Sequence, residues 1–144
     1  MMKKIWFDMD GTIANLYGVE NWLEDILNEN TRPYREARPL VNMSSLARVL
    51  NRLARNGYSV NIISWTAKNG KEEYNKAVEV AKKEWLKKHL KSVNFSAIDI
   101  VPYGTNKGEN RHGILFDDEE QNRKGWKNGK AYNVENIIEI LKAL

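Results

Sequence analysis

The chain has 144 residues, 42% hydrophobic and 29% charged, with a formal net charge of +4, which supports one domain with its own core and excludes a disordered or fibrous chain. It contains no cysteine, which excludes disulfides, thiolate metal sites and a cysteine nucleophile, and no apolar run approaches the ~20 residues of a membrane-spanning helix. The mild positive charge suits an anionic substrate and falls short of what nucleic-acid binding would lead one to expect.

The first element is carried by Lys4-Ile5-Trp6-Phe7-Asp8-Met9-Asp10-Gly11-Thr12. Ile5 to Phe7 read as a strand buried on both faces, broken at Gly11. A core strand at this position, in place of a signal peptide, leads us to expect a cytoplasmic protein. Side chains alternate along a strand, so Asp8 and Asp10 point the same way if the extended conformation persists. Two neighbouring buried carboxylates are costly without a cation or donors, so the pair predicts a hard, oxygen-seeking ion such as Mg²⁺.

Residues 19 to 29 read as an amphipathic helix with Trp22, Leu23, Ile26 and Leu27 along one side. Residues 30 to 43, with Arg32, Arg35, Arg38, Tyr34, Pro33 and Pro39, read as an irregular loop. Ser44-Ser45 is positioned to cap a helix carrying Leu46, Val49, Leu50, Leu53 and Ala54, which Gly57 stops. Tyr58 to Trp65 is the second strand and brings Ser64 to the same sheet edge as Asp8 through a right-handed crossover. The longest helix runs from Asn69 to Lys91, with Tyr74, Ala77, Val78, Ala81 and Trp85 on one face. Lys82, Lys83, Lys87, Lys88 and Lys91 read as its solvated basic surface among glutamates.

Ala97 to Tyr103 is a third strand, followed by a loop bearing Lys107. Gly104-Thr105-Asn106-Lys107-Gly108 lacks the full pattern of a nucleotide-binding phosphate loop. Gly113 to Phe116 forms a fourth strand that empties into Asp117-Asp118-Glu119-Glu120, a run of acids in a basic chain that a bound cation would explain. A short strand at 129–132 and a helix from Val134 to Leu144, with Ile137, Ile138, Leu141 and Leu144 inward, complete the chain. His89 and His112 have no partner by spacing, so neither a histidine zinc site nor a Ser-His-Asp triad is supported. Alternating strands and helices predict a parallel α/β sheet with the first strand central and the ligand site beyond the strands' carboxyl ends.

Phe7-Asp8-Met9-Asp10-Gly11-Thr12 resembles the first signature of the haloacid dehalogenase-like (HAD) superfamily. Ser64, Lys107 and Asp117-Asp118 resemble the second, third and fourth signatures, in order and spread over most of the chain. The resemblance implies a Rossmann-like, three-layer α/β/α fold in one domain spanning 1–144, with a core of 1–14 and 44–144 and a small cap inserted at about 15–43. It implies a Mg²⁺-dependent phosphatase in which Asp8 attacks phosphorus to form an aspartyl-phosphate and Asp10 is the general acid and base. Mg²⁺ would be held by Asp8, the Asp10 carbonyl and Asp118, with Asp117 as an alternative ligand. Ser64, Trp65 and Lys107 would meet the phosphoryl group.

Within the superfamily the chain is similar to the 5'-nucleotidase, deoxy (pyrimidine), cytosolic type C family and its phage and bacterial relatives. The grounds are the Asp-Met-Asp-Gly opening, the insertion after it, the Pro-containing segment and the ending Leu115-Phe116-Asp117-Asp118. It departs from that family at Asn15, where an acid is usual, and at Ser64-Trp65, where Thr-Ser is usual. The likeness implies a small phosphorylated substrate, a nucleoside monophosphate, with Tyr17, Trp22 or Tyr34 stacking on a ring and Arg35 meeting an anion. The plainer reading packs Trp22 under its helix and leaves the arginines in solvent. Phosphorylated nucleic-acid ends, sugar phosphates and a non-catalytic binding role are the alternatives. A receiver domain would place its acidic pair first and its phosphoacceptor on a later strand, and a haloacid dehalogenase would need neither the second aspartate nor the metal.

Overall fold

The structure, a computed structural model, describes residues 3–144; Met1 and Met2, counted with the core above, lie outside the described residues. In chain order it contains β1 (Lys3–Phe7), β2 (Ala14–Asn15), α1 (Trp22–Leu27), α2 (Arg32–Glu36), β3 (Arg38–Pro39), α3 (Met43–Arg55), β4 (Tyr58–Trp65), α4 (Glu72–His89), β5 (Ala97–Val101), β6 (Ile114–Phe116), α5 (Glu120–Lys124), β7 (Ala131–Tyr132) and α6 (Ile137–Lys142). Five strands make one sheet in the order β5-β4-β1-β6-β7, every neighbouring pair parallel. β1 is central, as expected, so its carboxyl end opens between those of β4 and β6.

The register aligns apolar residues across the sheet. Ile5 pairs with Val60 and Ile114, and Phe7 with Ile62 and Phe116, whose ring stacks on Phe7 at 5.2 Å. On that face Leu46, Val49, Leu50 and Leu53 of α3, Trp85 and Leu86 of α4, and Ile137 and Leu141 of α6 close the main core. Each such side chain contributes roughly 1.5–3 kcal/mol on leaving water. The opposite face carries Trp6, Ile63 and Leu115 and is covered by Trp126, just past α5, with the Arg111 guanidinium 5.5 Å over the Trp6 ring. The third layer of the α/β/α arrangement is therefore thin.

Several boundaries move from those expected, each for a local reason. α1 starts at Trp22, not Val19, because Asn21 is left-handed (φ 62), and Glu29 (φ 57) closes the segment that follows it. Asn69 (φ 59) delays α4 to Glu72. Asn42, not the Ser44-Ser45 pair, caps α3, its side chain accepting from the Ser45 amide at 2.9 Å. The stretch 30–43 is more regular than its composition suggests: Pro33 starts α2, and β3 pairs antiparallel with β2. α6 ends at Lys142, and Leu144 beyond it stays 40% exposed instead of turning inward. No helix among the described residues is long and apolar enough to cross a membrane.

Candidate functional site

β1 ends at Phe7, and the chain then turns sharply. The Met9 carbonyl accepts from the amides of Thr12, Ile13 and Ala14, and Gly11 takes φ 82, a region open to glycine. Asp8 is buried at the strand end. Asp10 lies in the turn, bridged to Ala14, so the extended run that would have aimed both carboxylates alike does not persist. Both still line one cleft, each with its own lysine.

The Asp8 side is an acidic cluster. Asp8, Asp117 and Asp118 each offer an oxygen, and these atoms all lie within 4.8 Å of one another. Lys107, buried on its loop, donates to Asp8 Oδ1 at 2.9 Å and Asp117 Oδ2 at 2.8 Å. Asp117 also accepts from Asn122 Nδ2 at 3.2 Å and the Glu119 amide at 2.9 Å, so its oxygens are largely taken by protein donors. Asp118 meets the Thr12 hydroxyl at 3.3 Å and the Asp8 carboxylate, with no lysine on its oxygens among the described residues. Thr12 binds the cluster together: its hydroxyl lies 2.9 Å from Asp8 Oδ2 and accepts from the Asp118 amide at 3.2 Å.

Burial, with the negative charge of Asp8 added to it, pushes Asp118 up to about 8 and Asp117 up to about 6, although Lys107 opposes the shift at Asp117. Burial alone would lower the Lys107 ammonium, but Asp8 and Asp117 outweigh it and hold its pKa above the ordinary value. Three carboxylates against one ammonium leave a formal surplus of two negative charges when all are ionised. All-oxygen donors with that surplus fit a hard divalent cation.

The Asp10 side corrects the sequence reading. Lys82 is not part of the solvated face of α4 but is 1% exposed. Its Nζ donates to Asp10 Oδ2 at 2.9 Å, Ser64 Oγ at 2.7 Å and the Trp65 carbonyl at 2.6 Å, and it sits 5.2 Å from the Tyr34 ring centroid. Burial holds the Asp10 carboxyl above the usual carboxylate range, against the pull of Lys82. Ser64, fully buried, lies behind the cleft wall and serves as an acceptor for Lys82 instead of facing the cleft. The signal for Lys82 was in the sequence: Val78, Lys82 and Leu86 repeat at i, i+4, so a lysine interrupts an apolar stripe.

The cleft beside these groups has a volume of about 660 Å³. Tyr17, Trp22 and Tyr34 line it, with Tyr17 and Trp22 edge to face at 4.9 Å. Burial raises the pKa of the Tyr17 and Tyr34 hydroxyls, which stay neutral. α1 has no buried residue; Leu23 and Leu27 are 53% and 73% exposed and line the cleft, so the apolar stripe of α1 is a wall and not a packed seam. Trp65 offers its ring, with its indole N–H spent on the Thr105 carbonyl at 2.9 Å, and Tyr103, which sequence reasoning missed, packs on it at 4.8 Å. Arg35 is absent from the cleft; it pairs with Glu84 on the outside of α4 at 2.7 Å, and Arg32 is held by Asp25.

No family model matches the sequence, and no curated protein matches it either. The fold does have solved counterparts. The D,D-heptose 1,7-bisphosphate phosphatase from Burkholderia thailandensis aligns over 98% of this chain and 97% of its own, with a TM-score of 0.59 and 13% identity. The corresponding phosphatase from B. bronchiseptica, solved in complex with magnesium and phosphate, aligns over 86% of this chain and 74% of its own, with a TM-score of 0.52 and 13% identity. The likeness is one of fold: the parallel α/β sheet expected for an HAD-like chain.

Proposed function

We propose that this chain is a Mg²⁺-dependent phosphomonoester hydrolase that works through an aspartyl-phosphate on Asp8, with a nucleoside monophosphate as substrate. The observation that carries the reading is the convergence of Asp8, Asp10, Lys107 and the Asp117–Asp118 pair at one sheet edge, each from the segment where an HAD phosphatase needs it. The acid cluster would hold Mg²⁺ through Asp8, Asp118 and the Asp10 carbonyl, and the ion would supply charge neutralisation and alignment of the phosphoryl group. Lys107 donates to Asp8 and offers its charge to the phosphoryl oxygens. An Asp8 oxygen attacks phosphorus and the ester P–O bond breaks, with the Asp10 proton going to the leaving oxygen. Asp10 then takes a proton from the water whose oxygen attacks the aspartyl-phosphate, releasing phosphate and free Asp8.

Support for a nucleotide comes from the cleft. Tyr17, Trp22, Trp65 and Tyr103 present flat ring surface beside the carboxylates, and Leu23 and Leu27 add an apolar wall. Such walls suit a planar ring better than a sugar with hydroxyls all round. The segment between β1 and α3 acts as the cap in this reading. The test is phosphate release, with and without Mg²⁺, from 5'- and 3'-nucleoside monophosphates, sugar phosphates and phosphorylated oligonucleotides, beside Asp8→Asn. Mg²⁺-dependent release from a 5'-nucleotide, abolished in Asp8→Asn, is expected. Preference for a sugar phosphate would overturn the substrate, and no release from any compound would overturn the phosphatase.

A further inference from the structure

A buried lysine with a full set of partners carries one more step. An ammonium has three N–H donors and no acceptor. Lys82 spends all three, on Asp10 Oδ2, Ser64 Oγ and the Trp65 carbonyl, at 2.6–2.9 Å. It therefore has no proton to offer a substrate, and it is not among the residues that line the cleft. Two of its three partners lie at the end of β4, which is paired on both sides in the sheet, so the ammonium is fixed to an interior strand. The third partner is the side chain in the turn after β1, a segment of which only Asp10 and Ala14 form a bridge. Tyr34, buried in α2, closes over the ammonium from the cap side.

We propose that Lys82 is a positioning residue for the acid–base step: β4 holds Lys82 through Ser64 and the Trp65 carbonyl, and Lys82 holds Asp10 by Oδ2. With Oδ2 engaged, Oδ1 is the oxygen left to carry the proton transferred to the leaving oxygen, and Asp10 lines the cleft. The ester bond breaks as that proton moves, and it returns from the attacking water in the second half of the reaction. The inference rests on the phosphatase reading and adds to it a second lysine with work distinct from that of Lys107. Lys107 serves the nucleophile, and Lys82 serves the acid.

A leaving-group comparison separates this role from a merely structural one. Benzyl phosphate and 4-nitrophenyl phosphate have similar size, but the benzyl alkoxide must be protonated to leave and the nitrophenolate need not. Lys82→Met is expected to lower kcat on benzyl phosphate about a hundredfold or more and on 4-nitrophenyl phosphate less than about tenfold, with KM for both nearly unchanged. Equal losses on the two esters would overturn the proposal, because a distorted site affects both alike. Removing Lys82 alone leaves a buried carboxylate unpaired and can cost the fold, so Asp10→Asn and Asp10→Asn/Lys82→Met are compared as well; in the first the amide oxygen still accepts from the Lys82 ammonium, and the second leaves no charge there. With the acid already lost, the ratio of the two rates should agree within threefold between these variants. A further change in that ratio on removing Lys82 would show a direct effect on the leaving group and overturn the proposal. A wild type inactive on both esters would overturn the phosphatase reading and this inference with it, whereas an active wild type with equal losses in Lys82→Met overturns this inference alone.

Discussion

Mg²⁺ should bind this chain more tightly as pH rises, and the slope should count protons. Asp8, Asp117 and Asp118 crowd their oxygens within 4.8 Å with one ammonium among them, and burial, with the charges of Asp8 and Asp117 added to it, pushes Asp118 up to about 8. A carboxyl with that pKa is about nine-tenths protonated at pH 7, and freeing it for a metal costs about 1.4 kcal/mol, or one factor of ten in apparent affinity. We predict roughly tenfold tighter binding from pH 6.5 to 7.5, flattening above pH 8 to 9, with about one proton released per ion at pH 7. Asp117, pushed up to about 6, should add a second proton only below pH 6, and only if it also ligates. Titration calorimetry in two buffers of different ionisation enthalpy measures the protons directly. The linkage runs the other way for the metal-free fold. Both acids sit above their ordinary 3.8 when folded, so the folded chain binds more protons than the unfolded one between about pH 4 and 8. Their contribution to stability is complete below pH 4 and is lost as pH rises through 6 and 8; Mg²⁺ should therefore raise Tm more at pH 8.5 than at pH 5.5. An affinity that is flat from pH 6 to 9, with no proton released at pH 7, would refute the reasoning.

Three substitutions probe the same architecture at other points. Lys107→Met leaves Asp8 and Asp117 buried without their ammonium; we expect about 3–5 kcal/mol lost in metal-free urea unfolding, and kcat with Mg²⁺ lower by about 10²–10³. Gly11→Ala meets a φ of 82 and a Cβ that would run into the Asp118 carboxylate. It should destabilise by more than about 1 kcal/mol and weaken Mg²⁺ binding in the same calorimetric titration. Ser64→Ala removes one of three acceptors around Lys82 without opening the cleft, and one hydrogen bond of about 1 kcal/mol predicts a kcat roughly fivefold lower at unchanged KM. A rise in KM instead would put the hydroxyl on the substrate.

The core was legible because its signals are periodic. Ile5 and Phe7, Val60 and Ile62, and the stripe of α3 declare their buried faces by spacing alone, and alternation of strand and helix fixes β1 at the centre. The acids and Lys107 were singled out because their order along the chain resembles the HAD signatures, and the fold brings them together at one sheet edge. The losses came where a side chain's polarity misleads. Lys82 was assigned to solvent by its charge, yet its place between Val78 and Leu86 decides its burial. Leu23 and Leu27 were assigned to a packed seam by their apolarity, yet a six-residue helix bounded by left-handed Asn21 and Glu29 is too short to carry one. Arg35 was given an anion it does not face, because α2 turns it toward Glu84, and no property of the sequence near residue 35 announces a partner 49 positions away.

The two lysines also explain how one edge of the sheet can hold four carboxylates. Asp10 and Lys82 form a pair neutral in itself, closed from the cap side by the Tyr34 ring. Asp8, Asp117 and Asp118 share only Lys107, so the charge imbalance is confined to one end of the cleft. An anionic ester of the proposed kind would meet repulsion there until a divalent cation is in place. The aromatic and leucine walls attract its ring regardless of charge. If the proposed reaction holds, binding of the leaving group and binding of the phosphoryl group draw on different physics within one cleft. In that reading the segment between β1 and α3 sets which ester enters, and the sheet edge sets what becomes of it. A substitution in α1 should therefore change which substrate is taken and leave the Mg²⁺ dependence alone, whereas a change at Asp118 should do the reverse.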